Sequence, residues 1–225
     1  MENICRPIEE ALVALKIPLK TGVAYGTVWE AGVNAAQYKV PLTDTSVINV
    51  NFPLFSFCSM MSKATALLLP HNATEAGSFV SFDLQYIGRK LQSNRALQGY
   101  WAKLVHSHAV FDRAKGVPRL RLSYQEPVAR TRYLLCQAME LFAVGHEYGH
   151  HIEDHSLGGI AGADADFGNI SHRHEHEADL ISALVSSQIG ANPNAPNLFA
   201  STGAGAVLML GATDLVRRAA SNKYR

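Results

Sequence analysis

Two histidines flank a glutamate in the segment His146-Glu147-Tyr148-Gly149-His150. On an α-helix their spacing advances about one turn, so both imidazoles leave the same face. Two ring nitrogens placed in this way can bind one zinc ion at roughly 2.0–2.1 Å each. Glu147 lies beside that face, where its carboxylate can take a proton from a water acidified by zinc and later deliver it to a leaving amine. The pattern therefore predicts a hydrolytic zinc site.

A catalytic zinc needs a third protein ligand and an open fourth position. A longer motif with a histidine six residues after His150 is excluded, because residue 156 is serine. The segment SHRHEHEADLISA supplies carboxylates instead. Glu175 and Asp179 share a helical face, so Glu175 can bind zinc while Asp179 accepts the outer N–H of a ligand histidine. Glu177 is the competing ligand, but it points about 160° away from Asp179 around a helix, which favours Glu175.

These two motifs, H-E-x-x-H and an E-x-x-A-D about 25 residues later, resemble the gluzincin metallopeptidases. The pattern is most similar to that of the CAAX-prenyl and heat-shock membrane metallopeptidases and their soluble minigluzincin relatives. The segment AMELFAVGHEYGHH also resembles the phage-exclusion (Lit-type) and repressor-cleaving (ImmA-type) bacterial peptidases. The resemblance covers roughly residues 131–190. It implies that Glu175 is the third zinc ligand, with Asp179 as its companion, and that the protein is a soluble peptidase of intracellular proteins or peptides.

Relatives of this kind pair an edge strand with an extended substrate. The resemblance therefore implies such a strand here, and residues 119–122 or 77–82 are the candidates. The glycine-rich stretch 157–168 joins the two ligand-bearing helices, so it is a candidate lid over the site.

Seven of the ten histidines fall between positions 146 and 176. One of the additional histidines is a candidate donor to the tetrahedral intermediate of peptide hydrolysis. His172 and His176 are the best placed, because each precedes Glu175 or Asp179 by about one helical turn. The alternative is that these side chains are solvated on a polar helix start. Tyr148 is expected to pack in the core.

Hydrophobic periodicity and breaker residues predict the elements that position these groups. Strands are predicted at residues 23–29, 37–42, 46–51, 77–82 and 119–122. Helices are predicted from Pro53 to Leu69, over 83–111, from Pro127 through the first motif, from an N-cap at Ser171 to Gln188, and in one apolar segment near the C-terminus. The predicted fold class is α+β, mostly helical, in one domain of residues 1–225. Residues 1–125 would form a cleft wall and residues 126–225 the helical metal-binding part.

The composition narrows the function classes. A formal charge of +1 with scattered Lys and Arg does not favour nucleic-acid binding. Cys5, Cys58 and Cys136 have no metal-ligand or disulfide spacing, which predicts free thiols in the reducing cytoplasm. The N-terminus lacks the apolar region of a secretory signal. Residues 198–213 carry no charge but are fewer than the roughly 20 that a bilayer requires, which predicts a buried helix and no membrane span.

The leading hypothesis is a zinc endopeptidase that acts on an intracellular protein or peptide, with Glu147 as general base and then acid. A second hypothesis is a non-catalytic regulator that senses zinc through a closed site of four ligands, completed by His172 or His176. A third is a metal-free scaffold in which the first motif is accidental. The sequence does not indicate an oligomeric state.

Overall fold

The computed structural model describes residues 1–19, 22–74, 77–81, 83–111, 113–117, 126–153 and 167–221. Within these ranges the chain forms eight helices and five strands, which confirms the predicted α+β class with mostly helical content. The elements follow in the order α1 (Glu2–Ala14), β1 (Val23–Val28), β2 (Ala35–Lys39), β3 (Ser46–Asn51), α2 (Phe52–Leu68), β4 (His71–Thr74), β5 (Gly77–Val80), α3 (Leu84–Ser93), α4 (Arg95–Phe111), α5 (Glu126–Ile152), α6 (Phe167–Gly190), α7 (Leu198–Ser201) and α8 (Ala204–Ser221).

Three short strands form a mixed sheet in the order β1-β3-β2. The central strand β3 runs parallel to β1 and antiparallel to β2. The alternation of β3 buries Ser46, Ile48 and Val50 on one face, as the period of two in a strand requires. The strands predicted at 23–29 and 46–51 are confirmed. β2 starts two residues before the predicted 37–42 and ends at Lys39, because Leu42 lies in a turn with φ of 64°.

A second sheet pairs β4 with β5 in antiparallel register. The strand predicted at 77–82 is thus present as β5, whereas its partner β4 was not predicted. The strand predicted at 119–122 lies outside the described residues, as does most of the glycine-rich stretch 157–168.

Proline and asparagine set several helix boundaries. α2 carries Pro53 in its first turn, where the missing N–H is not needed, and it ends before Pro70, as predicted. The helical pattern predicted over 83–111 is confirmed, and it is divided between two helices, α3 and α4. Asp83 caps α3 by accepting from two main-chain N–H groups, and Asn94 accepts from the N–H of Leu97 at the start of α4. The asparagine side chain replaces helical hydrogen bonds at that position, so the helix is interrupted.

The C-terminal third differs from the prediction in two ways. α6 begins at Phe167, so Ser171 lies inside the helix and is not its N-cap. The predicted single apolar helix is divided into α7 and α8 at Gly203, whose φ of 74° suits glycine. This segment is also not buried throughout, since Val207 is 73% exposed. Within the described residues, no helix combines the length and apolar character needed to cross a membrane.

Helix α5 lies at the centre of the fold. It contacts α1, α2, α6, α7 and α8 as well as β2 and β3. Its apolar residues, among them Met139, Leu141 and Val144, belong to a buried cluster that also contains residues of α1, β3, α2, α4 and α8. Apolar contacts on several sides therefore fix α5 in place, and α5 carries the first motif at its C-terminal end.

Candidate metal centre

The two motif histidines lie side by side near the end of α5. Their rings stand edge to face with centroids 4.6 Å apart, and Nε2 of His150 is 3.0 Å from Nε2 of His146. Both side chains are mostly buried, at 17% and 14% exposure. The apolar residues that precede them on α5 pack into the core, so the helix face with the imidazoles cannot rotate away from its neighbour α6.

Glu175 on α6 completes a group of three ligand-capable side chains. Its carboxylate oxygens lie 3.2 Å from Nε2 of His146 and 3.6 Å from Nε2 of His150. A tetrahedral ion that binds at about 2.0–2.1 Å holds neighbouring ligand atoms about 3.3 Å apart. The separations of 3.0, 3.2 and 3.6 Å match that spacing, so His146, His150 and Glu175 could hold a metal ion.

Asp179 contacts the other side of the His146 ring. Its Oδ1 lies 2.8 Å from Nδ1 of His146. A proton on Nδ1 donates to this carboxylate and leaves the Nε2 lone pair directed at the ligand group, as a metal-binding histidine requires. Burial opposes the charged form of His146, but the hydrogen bond to Asp179 and the charges of Glu147, Asp179 and Glu175 outweigh it and raise the pKa of His146.

Small residues allow α5 and α6 to approach closely enough for these contacts. A methyl group added at Gly149 would lie 2.6 Å from Cα of Ala178, and one at Gly145 would lie 2.8 Å from Oγ of Ser182. Ser182 is fully buried and donates to the carbonyl of Phe142 on α5 at 2.6 Å. Both glycines sit next to a motif histidine in the sequence. The close packing therefore determines the distance between the histidines and the carboxylates of α6.

Glu147 contacts the three-stranded sheet. Its side chain is 7% exposed, and its carboxylate accepts a hydrogen bond from the main-chain N–H of Gln37 in β2. Burial raises the pKa of Glu147 to about 7. The nearby His146 and the Gln37 N–H oppose this rise, while the charge of Glu175 adds to it. A carboxyl group with such a pKa can both accept and release a proton near neutral pH.

The contact with Gln37 lies on the edge of β2 that faces away from β3. Main-chain hydrogen bonds join Asn51 to Asn34 and Val40 to Thr45, so the even-numbered residues of β2 face β3. By alternation, the main-chain groups of residues 35, 37 and 39 point away from β3. Among the described residues β2 is the outer strand of the sheet, so these groups point to its outer edge, where the N–H of Gln37 is bonded to Glu147.

The remaining sequence-predicted residues are more dispersed. His172 and His176 are exposed on α6. Glu177, the competing ligand, forms an ion pair with Arg173 at 2.8 Å, whereas Glu175 lies at the histidines. Tyr148 is fully buried in the core, as expected, and its hydroxyl donates to Glu9 of α1 at 2.8 Å.

One buried polar connection beside the site was not predicted from the sequence. Nδ1 of His151 lies 2.7 Å from Oγ of Ser46 in β3, and Nε2 of Gln37 donates to the same Oγ at 2.5 Å. The small residues that face each other across α5 and α6 have a signal in the sequence, because Gly145 and Gly149 are one helical turn apart and so are Ala178 and Ser182. The approach of β2 and β3 to α5 had no such signal, because it depends on how distant segments pack.

No protein-family model matches this chain, and no curated protein or solved structure matches it either. The functional interpretation therefore depends on the geometry and chemistry of the site.

Proposed function

We propose that this protein is a zinc-dependent endopeptidase that hydrolyses peptide bonds of an intracellular protein or peptide. The observation that carries the proposal is the position of Glu147. A buried carboxyl group with a pKa of about 7 follows His146 on α5, and it interacts electrostatically with two of the three side chains that are spaced as tetrahedral metal ligands. Burying a carboxylate lowers the free energy of unfolding unless the charge is paired and hydrogen-bonded. Carboxyl groups with strongly shifted pKa values are concentrated at catalytic sites.

His146, His150 and Glu175 would hold the metal. Two imidazoles and one carboxylate are a donor set typical of catalytic zinc, and a bound zinc ion supplies a Lewis acid that polarises a carbonyl and makes water more acidic. Among the described residues the ligand-capable group has three members, which is the number that leaves a coordination position open. Asp179 holds His146 in the tautomer that presents Nε2.

Glu147 would act as general base and then as general acid. Near neutral pH its carboxylate can take a proton from the attacking water and return it to the amine that leaves when the peptide bond breaks. The N–H of Gln37 fixes one side of the carboxylate. Proton transfer by a group of this kind contributes typically 10²–10⁴-fold to the rate.

The position of β2 as the outer strand of the described sheet supports an extended peptide as substrate. A peptide that added to this edge as a further strand would pass directly beside Glu147. β2 is thus a third candidate for the substrate-binding strand, beside the two named from the sequence: 77–82 contains β5 of the other sheet, and 119–122 lies outside the described residues.

The cysteines support an intracellular location and argue against a thiol nucleophile. Cys5, Cys58 and Cys136 are all free thiols, which is typical of proteins from a reducing compartment such as the cytoplasm. Burial raises the pKa of Cys5 to about 11 and that of Cys136 to about 12. Thiols of such high pKa are poor nucleophiles at neutral pH.

The metal is tested by elemental analysis of dialysed wild type, Glu175→Ala and Glu177→Ala. We expect about one equivalent of zinc in wild type and in Glu177→Ala, and much less in Glu175→Ala. The analysis includes iron and manganese, because two histidines and a carboxylate also suit iron(II). Wild type that binds no metal after reconstitution with zinc would exclude the proposed function.

The reaction is tested with fluorescein-labelled β-casein, an unfolded polypeptide. Glu147→Gln should retain zinc but lose at least about 10²-fold in kcat, because the amide cannot accept a proton. Glu140→Gln is the matched control, since it makes the same change at another partly buried glutamate of α5. Zinc-loaded wild type that does not cleave the casein would favour the regulatory alternative over the peptidase.

A further inference from the structure

We infer that Gln37, Ser46 and His151 are positioning residues that hold the outer edge of β2 beside Glu147, so that an extended substrate is aligned with the metal centre. The inference rests on the proposed peptidase function and adds to it the hydrogen-bonded side chains that fix the strand to which the peptide would bind. The three side chains belong to β2, β3 and α5. They connect the sheet to the helix that carries the ligands.

The connection is buried and directional. Gln37 is 5% exposed, Ser46 is 1% exposed and His151 is 5% exposed. The Gln37 amide donates to Ser46 Oγ at 2.5 Å, and the same oxygen lies 2.7 Å from Nδ1 of His151. Buried polar groups lose free energy when they are left without partners, so this set of contacts favours one placement of the sheet over its neighbours.

Gln37 is held at two points at once. Its side chain binds Ser46, while its main-chain N–H donates to the carboxylate of Glu147. His151 follows the ligand His150 directly in α5, so the polar connection and the metal ligand share one rigid element. The position of β2 is therefore defined relative to the same helix that positions the metal ligands.

This arrangement matters for a substrate that binds to the edge of β2. In the described part of the sheet, the main-chain groups of Ala35 point to the same outer edge of β2 as those of Gln37. A displacement of the strand by one residue would exchange the groups that point to the edge with those that face β3.

The principal test uses Ser46→Ala, which removes the oxygen that both neighbours share, and Gln37→Met, which removes the amide but keeps the side-chain length. Amide hydrogen exchange of residues 35–39 should become about tenfold faster in both variants, whereas α5 keeps its protection. Zinc content should stay at the wild-type value. For labelled β-casein we expect KM to rise about tenfold while kcat changes less than about twofold, because the edge binds ground state and transition state alike.

Ser62→Ala is the matched control. Ser62 is a fully buried serine of α2 whose hydroxyl donates to the carbonyl of Ser59, so the variant loses a comparable hydrogen bond elsewhere. It should leave the exchange of β2 and the KM unchanged. Three outcomes would overturn the positioning role without contradicting the proposed peptidase activity. They are an equal effect of Ser62→Ala, a wild-type KM in Ser46→Ala, and a loss that is confined to kcat. Zinc-loaded wild type that cleaves no casein would instead overturn the proposed function, and the alignment of substrate with it.

Discussion

Helix α5 makes two contacts beside the same pair of histidines, and they differ in kind. Toward α6 the contact is formed by small residues, where Gly149 lies against Ala178 with no room for a methyl group. Toward the sheet it is formed by buried polar side chains, with Glu147 and His151 both bonded to strands. The first contact is steric and places the candidate metal ligands; the second is directional and places Glu147, the proposed acid–base group.

The difference indicates how each half of the site tolerates change. A steric contact between helix backbones yields little, so an added atom must move a whole helix and all the ligands that it carries. A polar contact can lose one partner and keep the helix in place, so its loss affects alignment before it affects the metal. Substitutions on the two sides of α5 should therefore separate metal binding from substrate placement.

Gly149→Ala should have the largest effect. The new methyl group would lie 2.6 Å from a main-chain atom of α6, so α5 and α6 must move apart. We expect the free energy of unfolding to fall by about 1–3 kcal/mol and zinc binding to be largely lost. Urea denaturation and elemental analysis measure both. Gly211→Ala is the control, because the added methyl meets nothing within 4 Å and should stabilise α8 by up to about 1 kcal/mol.

The polar side of α5 should show a pH dependence in the metal-free protein. The pKa of Glu147 is about 7 in the folded state and 4.5 for an ordinary glutamate. Between these values the folded state keeps a proton that the unfolded state has lost, so the free energy of unfolding falls as pH rises. The contribution of Glu147 should fall by about 3 kcal/mol across that window and then stay constant.

Urea denaturation of wild type and Glu147→Gln from about pH 4 to about pH 8 measures this contribution as a difference between the two proteins. Glutamine does not titrate, so the variant should become more stable than wild type as pH rises toward 7. Parallel curves for the two proteins would show that the Glu147 carboxylate is solvated and would remove the main support for its catalytic role.

The two contacts also differ in how far the sequence predicts them. The ligand side depends on local spacing, because His146 and His150, or Glu175 and Asp179, are related by one turn of a single helix. Each pair could therefore be assigned to one face before the structure was known, and the structure brings the two pairs together. The choice of Glu175 over Glu177 followed from the same rotation around the helix.

The sheet side could not be predicted in this way. Gln37 and Ser46 lie more than 100 residues from His151, and a glutamine in a short strand is compatible with an exposed position. Their burial results from the register of β2 on β3 and from the packing of that sheet on α5, which are properties of the whole fold. The interruption at Asn94 was missed for a local reason, because a side-chain cap competed with helix periodicity.

A smaller effect is expected at Asp179, which contacts His146 and is not part of the candidate ligand group. Asp179→Ala removes the hydrogen bond that holds Nδ1 of His146, so the ring can change its tautomer and orientation. We expect zinc affinity to weaken about 10–100-fold, measured by competition with a chelator. Asp214→Ala is the control, because Asp214 forms a comparable carboxylate contact with Arg218 on the surface of α8. Unchanged affinity in Asp179→Ala would show that packing alone orients His146.

The smallest effect should come from the ion pair on the outer side of α6. Arg173 and Glu177 lie one turn apart, and the arginine is 79% exposed, so solvent screens their attraction. Arg173→Ala should leave the urea midpoint and the zinc content within measurement error. This result would separate Glu177 from the metal centre, although it lies two residues from Glu175. A fall in the zinc content of Arg173→Ala would mean that the ion pair helps to fix which face of α6 is turned toward α5. The steric contact between the two helices would then not be sufficient to place the candidate ligands.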